Sequence, residues 1–393
     1  MGKSSNPSKS VVLFSTADWN NPFWTNKQHT ALGLSKLGYR VLYIESLGLR
    51  QPKLKSTDLL RIVKRLASFF KGTRLINENL FVYSPLVIPF HRFAWVRKFN
   101  AFLLKKTIRF QMRKLKIQNP WIWTYNPMIL DLALSLHGSK LIYHCVDDLS
   151  ASPGIDKNAV LLNEDALLKK CDLVFCTSRK LEERCRTLAG SRVHFLSNVV
   201  DYEHFSKARA NPLEPDDLKS LPHPRIGFIG ALSSYKIDVE NITYVAKKRP
   251  EWQWVLIGKI GEGQPDSNLD ALQTFPNIHF LGPKDYQILP EYLAHFDVAV
   301  IPTPRNDYTE SMFPMKFFEY MAAGRAIVAR DIHSLQEYRN VFYPYDSGLE
   351  LERQIETALR GGIREPALSD QLARENTWER RLEKMIDFIN RQN

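Results

Sequence analysis

Two charged side chains stand in an otherwise apolar stretch: Lys316 and Glu319 in SMFPMKFFEYMAAGRAIVA, residues 311–329. Pro314 suits the first turn of a helix, and Gly324 suits its end. Positions three apart share one helix face. A helix N-terminus presents free N–H groups and the positive end of the dipole, so a lysine beside it can meet a phosphate. A carboxylate one turn on can accept both hydroxyls of a ribose. The same spacing also fits an ordinary surface ion pair, worth about 0.2–0.5 kcal/mol.

Three acids sit where strands end. Asp147 and Asp148 close KLIYHCVDD, residues 140–148, and Asp18 follows the run VVLFSTA. A carboxylate so placed can act as a general base on an attacking hydroxyl. Adjacent carboxylates repel, which can raise one pKa. The competing use of the pair is turn formation and capping of the next helix. His144, inside the same strand, reads as structural.

The elements that position these residues follow a βαβ rhythm. VVLFSTADW (11–19) is strand-like, a helix runs from about Lys27 to Leu37 and stops at Gly38, and RVLYIES (40–46) is strand-like again. The nearly unbroken apolar character of these runs suits a parallel sheet covered on both faces. Further strands are expected at 121–127, 140–148, 172–178 and 193–198, with helices at about 158–170 and from Arg179. A second series begins at RIGFIGAL (225–232) and continues through a helix near 239–249, strands at 252–259, 277–282, 297–302 and 326–330, and the amphipathic end TWERRLEKMIDFINRQN.

Between the two series, SKARANPLEPDDLKSLPHP carries four prolines and no apolar periodicity, the mark of a linker. The organisation is a first domain over 1–205, a linker over 206–223, a second domain over 224–375 and a terminal helix over 376–393. The fold class is α/β, with two doubly wound parallel-sheet domains. Ligands of such sheets bind at the carboxyl ends of strands. VDD, GFIGALSSYK, LIGK and SMFPMK all stand there.

Charge is distributed unevenly. From Lys53 to Lys116, 16 Lys and Arg face two acids, so this window holds +14 against +12 for the whole chain, and the remainder sums to −2. TDLLRIVKRLASFF (57–70) and FAWVRKFNAFLLKKTIRFQMRKLK (93–116) read as basic helices, the second rich in aromatics. Arg61, Lys64, Arg65, Trp95, Arg97, Lys98, Lys105 and Lys106, with Phe99, Phe102 and Phe110, suit an anionic membrane surface. A solvated basic face over a packed stripe is the alternative. No nucleic-acid module accompanies the charge, so no nucleic-acid partner is expected. Cys145, Cys171, Cys176 and Cys185 lack CxxC spacing and read as buried thiols of a reducing compartment. MGKSSNPSKS carries no apolar signal segment, and Asn6 stands where a myristoylation motif wants Ser or Thr. No apolar run reaches the ~18 residues of a membrane span. A cytoplasmic protein at the inner face of the cell membrane is expected.

In order and spacing, these pieces resemble a GT-B glycosyltransferase over nearly the whole chain. SNVVDYEHF (197–205) resembles the signature that closes the first domain in many sugar-nucleotide transferases, with Val199 replacing glycine. IGFIGAL, VLIGK, NIHFLG, DVAVIP and FFEYMAAGRAIVA follow in family order, and the last helix looks like the one that crosses back onto the first domain. STADWNNPFWTNKQH and IYHCVDDLSASPG are similar to bacterial polysaccharide and teichuronic-acid type transferases and to the xanthan glucuronosyltransferase.

The resemblance implies two Rossmann-like domains facing a cleft. It implies a nucleotide diphosphate-sugar donor, with UDP-sugar favoured, a glycan or lipid-linked acceptor, and no separate cofactor. It assigns Lys316 to the diphosphate and Glu319 to the ribose, with Ser311 and Met315 beside them. Gly230, Ser233, Ser234 and Lys236 form the glycine loop, where Ala231 replaces the family's arginine; Lys236 is a second phosphate ligand or a solvated lysine, and Gly258 turns the chain near the base or ribose or is a plain strand-end glycine. Asp148, Asp147 or Asp18 would be the base. Retaining relatives keep a second glutamate eight residues before the position of Glu319. Ser311 stands there, with Glu310 one out of register, which agrees with an inverting enzyme. No DxD-type motif is present, so no metal requirement is expected. Sugar-nucleotide 2-epimerases share the fold, and a catalytically silent partner subunit is the non-enzyme alternative.

Overall fold

The computed structural model describes residues 9–21, 24–47, 72–88, 94–261, 264 and 267–392. The chain divides into two compact units. One comprises Met1–Cys176, Leu181–Leu196 and Met385–Asn393, and the other Thr177–Lys180 and Ser197–Lys384.

Among the described residues, the first unit is built on eight strands: β1 (Ser10–Phe14), β2 (Arg40–Ile44), β3 (Thr73–Asn77), β4 (Leu80–Tyr83), β5 (Trp121–Thr124), β6 (Lys140–Cys145), β7 (Leu173–Cys176) and β8 (Val193–Phe195). Their order is β3-β4-β2-β1-β5-β6-β7-β8. All neighbours pair in parallel except β3, which runs antiparallel to β4 at the edge. Val11, Val12, Leu13, Val41, Leu42 and Tyr43 are fully buried. That explains the unbroken apolar text of β1 and β2: both faces of these central strands are covered. Helix Asn26–Lys36 follows β1, and Gly38, at φ 84°, takes the left-handed position beyond its end.

The β3–β4 hairpin was not evident from the sequence. Its first strand, TRLIN, is half-buried to exposed at the sheet edge and lacks the apolar alternation that marks a strand. The aromatic basic helix forms as expected, over Ala94–Lys114. The basic stretch 57–70, with Arg61, Lys64 and Arg65, lies outside the described residues.

The second unit carries six parallel strands: β9 (Arg225–Ile229), β10 (Gln253–Ile257), β11 (Ile278–Gly282), β12 (Val298–Ile301), β13 (Ala326–Arg330) and β14 (Tyr343–Tyr345). Their order is β11-β10-β9-β12-β13-β14. One face packs under Phe296, Phe317, Phe318 and Tyr320, the other under Ile242, Val245, Leu351 and Ile355.

Residues 197–223 belong to this unit rather than to a free connection. Ala208 and Leu218 are buried in its core. Arg225, itself buried, ion-pairs with Glu214 and donates from its amino group to the Leu218 carbonyl at 2.9 Å. The prolines of the segment break helical and strand patterns without preventing it from packing, so its sequence resembles a linker. Among the described residues, no helix is long and apolar enough to cross a membrane.

Candidate functional site

In the second unit, the charge pair sits on a short helix, Lys316–Ala322. Met315 takes the N-cap, so Pro314 lies just ahead of the helix rather than in its first turn, where its carbonyl accepts from the Phe317 N–H at 3.1 Å. Lys316 Nζ is 2.6 Å from Glu319 Oε2. The pair is not a surface bridge, because Glu319 is only 4% exposed. Phe317, Tyr320 and Met321 anchor the other face in the core. At the far end, Arg209 donates to the carbonyls of Ala322 and Met321, at 2.7 and 2.9 Å. This satisfies acceptors that a helix C-terminus leaves open.

Two further contacts place this helix. Asn198 of the NVVD segment donates to the Phe313 carbonyl at 2.6 Å. Tyr320 Oη accepts the backbone N–H of Ile229 at 2.9 Å, at the carboxyl end of β9. The next residue is Gly230, so the glycine loop and the charged helix are joined directly. Gly258 is set by the same loop. A Cβ on it would lie 1.7 Å from the Gly230 carbonyl oxygen, so the close approach of two chain segments demands glycine there.

Within the loop, Ser233 is fully buried, and its carbonyl accepts from the N–H groups of Lys236 and Ile237. Ser234 Oγ donates to Gln264 at 3.0 Å. Both serines thus have roles in shaping the loop. Lys236 Nζ stands 5.3 and 5.5 Å from the ring centres of Tyr235 and Tyr308, a cation–π arrangement that holds its charge half-buried. Ser311 is buried, and its carbonyl accepts from Ser178 Oγ at 2.7 Å. Glu310 is paired with Arg305 at 3.3 Å.

Tyr286 is a neighbour of Glu319 that the sequence reading missed. Its ring stacks on His204 with centres 4.4 Å apart. Burial pushes its phenol far up, and the carboxylates of Glu319 and Asp201 add to the shift. A tyrosine in a helical turn between β11 and β12 carries no pattern that would mark it in sequence.

In the first unit, the loop after β1 is pinned by its own motif. Gln28 donates to the Asp18 carbonyl at 3.1 Å, and the Trp19 N–H donates to Glu45 Oε1 at 2.8 Å. The Asp18 side chain is exposed. Lys27, buried, reaches from helix Asn26–Lys36 to Asp147, with Nζ 3.7 Å from Oδ2. STADWNNPFWTNKQH and VDD therefore meet beyond the ends of β1 and β6. His144 is fully buried, hydrogen-bonded to Tyr125 Oη at 3.0 Å and packed against Trp123, which agrees with its structural reading.

Asp148 differs from the expectation. It caps a short helical turn by accepting from the N–H and hydroxyl of Ser150, at 3.0 and 2.6 Å, and pairs with Arg184 at 2.7 Å. Burial pushes its pKa up, but the Ser150 hydrogen bonds and the Arg184 guanidinium outweigh burial and leave it below the ordinary carboxylate value. The repulsion expected to raise one carboxyl of the pair does not govern Asp148, because a guanidinium faces it.

Helix Ala94–Lys114 contains no acid. Trp95, Phe99, Phe102 and Phe110 are 67, 46, 56 and 62% exposed. Their spacing puts them along one face, while Val96, Leu104, Ile108 and Met112 are buried. Lys98 and Lys106 are exposed, Lys105 is half-buried, and Lys106 Nζ lies 4.5 Å from the ring centre of Phe102. The side chain of Arg97 lies outside what the structure describes.

Comparison with known proteins agrees with this architecture. Residues 223–360 match the family described as Glycosyl transferases group 1. In sequence, the chain is similar to TuaH of Bacillus subtilis (strain 168), a protein assigned by name to teichuronic acid biosynthesis as a glycosyltransferase. The two are 29% identical over 227 residues, 53% of this chain and 55% of that one. The match thus spans about half the length of that relative. In structure, sucrose-phosphate synthase of Thermosynechococcus elongatus superposes with a TM-score of 0.68 at 15% identity, covering 98% of each chain. Anabaena HepE, solved in complex with UDP and glucose, gives 0.67 at 16%, covering 97% of this chain and 99% of its own. At such identities the likeness is one of fold, and the fold is GT-B.

Proposed function

We propose, from a GT-B fold in which residues 223–360 match the Glycosyl transferases group 1 family, that this protein transfers a sugar from a nucleoside diphosphate-sugar to a glycan or lipid-linked acceptor in surface polysaccharide assembly. The observation that carries the reading is the Lys316–Glu319 pair, half-sunk at the helix start and joined to the glycine loop, inside the matched segment 223–360. Lys316 and Lys236 meet the diphosphate as cations. Glu319 accepts the ribose hydroxyls, with Tyr286 against it. A UDP-sugar is the favoured donor, supported by the UDP bound to HepE. The relative named for teichuronic acid biosynthesis supports the acceptor class.

Transfer is assigned as inverting. A carboxylate takes the proton of the acceptor hydroxyl, the acceptor oxygen bonds to the donor's C1, and the C1–O bond to the diphosphate breaks. Asp147 is the assigned base, because the Asp148 carboxylate already accepts three hydrogen bonds. Asp18, the more exposed, is the second candidate. The departing charge is met by lysines and backbone N–H groups, so the reaction needs no Mg²⁺ or Mn²⁺. Activity retained in EDTA supports this, and activity that returns only with those ions overturns it.

The exposed aromatics and cations of helix Ala94–Lys114 support attachment to the inner face of an anionic membrane. Co-sedimentation with anionic but not neutral vesicles is expected.

The direct test is a thermal-shift panel of UDP, GDP, TDP and ADP. A bound ligand raises stability by mass action, so UDP is expected to raise Tm most. No shift with any of the four overturns the reading.

A further inference from the structure

The first unit holds a side-chain cluster that sugar transfer does not use. Cys145, Cys176 and Cys185 bring their sulfur atoms within 4.8 Å of one another. Cys145 and Cys176 are register partners at the ends of β6 and β7. Cys185 comes from helix Arg179–Ala189, which follows β7. All three are reduced and buried. Three thiols in an apolar core need no polar company, yet these have it. Glu164 Oε1 lies 3.8 Å from Cys145 Sγ and accepts from the Tyr143 hydroxyl at 2.6 Å. Arg184 Nη2 lies 3.9 Å from the same sulfur and 3.3 Å from Glu164 Oε1. The buried Glu164 is paired with the half-buried Arg184 at 3.1 Å, so a carboxylate and a counter-cation stand beside the thiols.

We propose that Cys145, Cys176 and Cys185 form a thiolate site for a soft divalent cation of the zinc class, with Glu164 placed to supply a fourth, oxygen ligand. Zinc–sulfur bonds of about 2.3 Å and zinc–oxygen bonds of about 2.1 Å at tetrahedral angles put ligand atoms ~3.5–3.8 Å apart. The three sulfurs already lie within 4.8 Å of one another, and Glu164, 3.8 Å from Cys145 Sγ, stands outside that group and would turn in from the Cys145 side to complete the site. Binding releases the protons of the thiols and of any protonated carboxyl. A dication with three thiolates and a carboxylate keeps two negative charges, and Arg184 faces them as the counter-cation. A metal here would tie β6, β7 and helices Lys157–Lys170 and Arg179–Ala189 together behind the Asp147–Asp148 turn. Its test does not depend on the proposed transfer.

The test uses the full chain, purified with a phosphine reductant and freed of metal by a chelator. Cobalt(II) is the probe, because thiolate ligation gives an intense charge-transfer band. One equivalent of cobalt is expected to produce the band, and zinc to abolish it. Cys171 is an internal control. It is also buried but hydrogen-bonds to the Leu168 carbonyl at 3.5 Å, outside the cluster. C171S should keep the band, C185S and C176S should lose it, and E164Q should weaken cobalt binding roughly 10–100-fold. In case a cysteine variant fails to fold, the unmodified chain serves as well: one equivalent of zinc should raise its Tm and protect three of the four thiols from alkylation after mild unfolding. No band with excess cobalt, a band that survives in C185S, or four thiols alkylated equally with and without zinc would overturn the proposal.

Discussion

Arg184 Nη1 lies 2.7 Å from Asp148 Oδ2, and its other amino group lies 3.1 Å from Glu164 Oε2. One guanidinium thus fastens the turn that follows β6 to helix Lys157–Lys170, and it separates the roles of two adjacent acids. Asp148→Asn should act on stability, because it leaves Arg184 without its closest partner. Breaking a largely buried pair costs about 3 kcal/mol, read as a lower urea midpoint. Asp147→Asn removes a carboxylate 3.7 Å from the buried Lys27 and should cost less, about 1 kcal/mol, while lowering kcat by roughly 10²–10⁴-fold. If Asp147→Asn leaves kcat unchanged and Asp18→Asn removes activity, the base is Asp18.

The Asp148 carboxyl has a folded-state pKa below its ordinary value of 3.8. Folding therefore binds fewer protons than unfolding does in that range. The pair's contribution is fully present above the unfolded value and is lost as pH falls through the folded one. Stability of the wild type should decline more steeply below pH ~4 than that of Asp148→Asn. Urea midpoints across an acid series give the comparison, and parallel curves would refute it.

Lys316→Ala removes the cation paired with the buried Glu319 and, on the proposed function, a charge-assisted contact to phosphate. Loss of one such contact is worth about 1.5–3 kcal/mol, so UDP affinity by calorimetry should fall roughly 10–150-fold. Tm should fall as well. Lys316→Arg should recover much of the Tm, since a cation again faces Glu319. Unchanged UDP affinity in Lys316→Ala would remove the lysine from the donor site.

Gly258→Ala should be severe. Its Cβ would fall 1.7 Å from the Gly230 carbonyl oxygen, and backbone cannot yield as a flexible side chain can. We expect a loss of about 3 kcal/mol or more, with UDP binding lost in step with the fold. Gly38→Ala, where no atom lies within 4 Å, tests only the backbone angle and should cost about 1 kcal/mol.

On vesicles, Trp95→Ala with Phe102→Ala should lower partitioning at least about tenfold, since each buried aromatic contributes roughly 1.5–3 kcal/mol. Lys98→Glu with Lys106→Glu should weaken binding to anionic vesicles mainly at low salt, where charges are least screened. Trp95 emission should shift to the blue on binding. Vesicle binding that is indifferent to both pairs would place the membrane surface elsewhere.

The sheets were legible because their strands are buried on both faces: VVLF and AIVAR could hardly be anything else. The Lys316–Glu319 pair was legible because charge is conspicuous in apolar text. What escaped was tertiary. The β3–β4 hairpin is half-exposed and carries no alternation. The 206–223 segment contributes two core residues that no period connects. Asp148 looked like a base because its partner, Arg184, is 36 positions further along the chain, on a helix whose packing only the fold decides. Tyr286 gains its meaning solely from lying beside Glu319.

The Ile229 N–H to Tyr320 Oη bond has a mechanical implication. It couples the segment that leaves β9 to the helix bearing the two charges, and Gly258 is wedged against the same segment. On the proposed function, a phosphate drawn toward the loop and a ribose drawn toward the helix would therefore pull on one stiff body. Strain from a misfitting donor cannot be relieved by letting one half give way, so discrimination among nucleotides is expected to appear in how long the donor stays bound rather than in how fast it arrives.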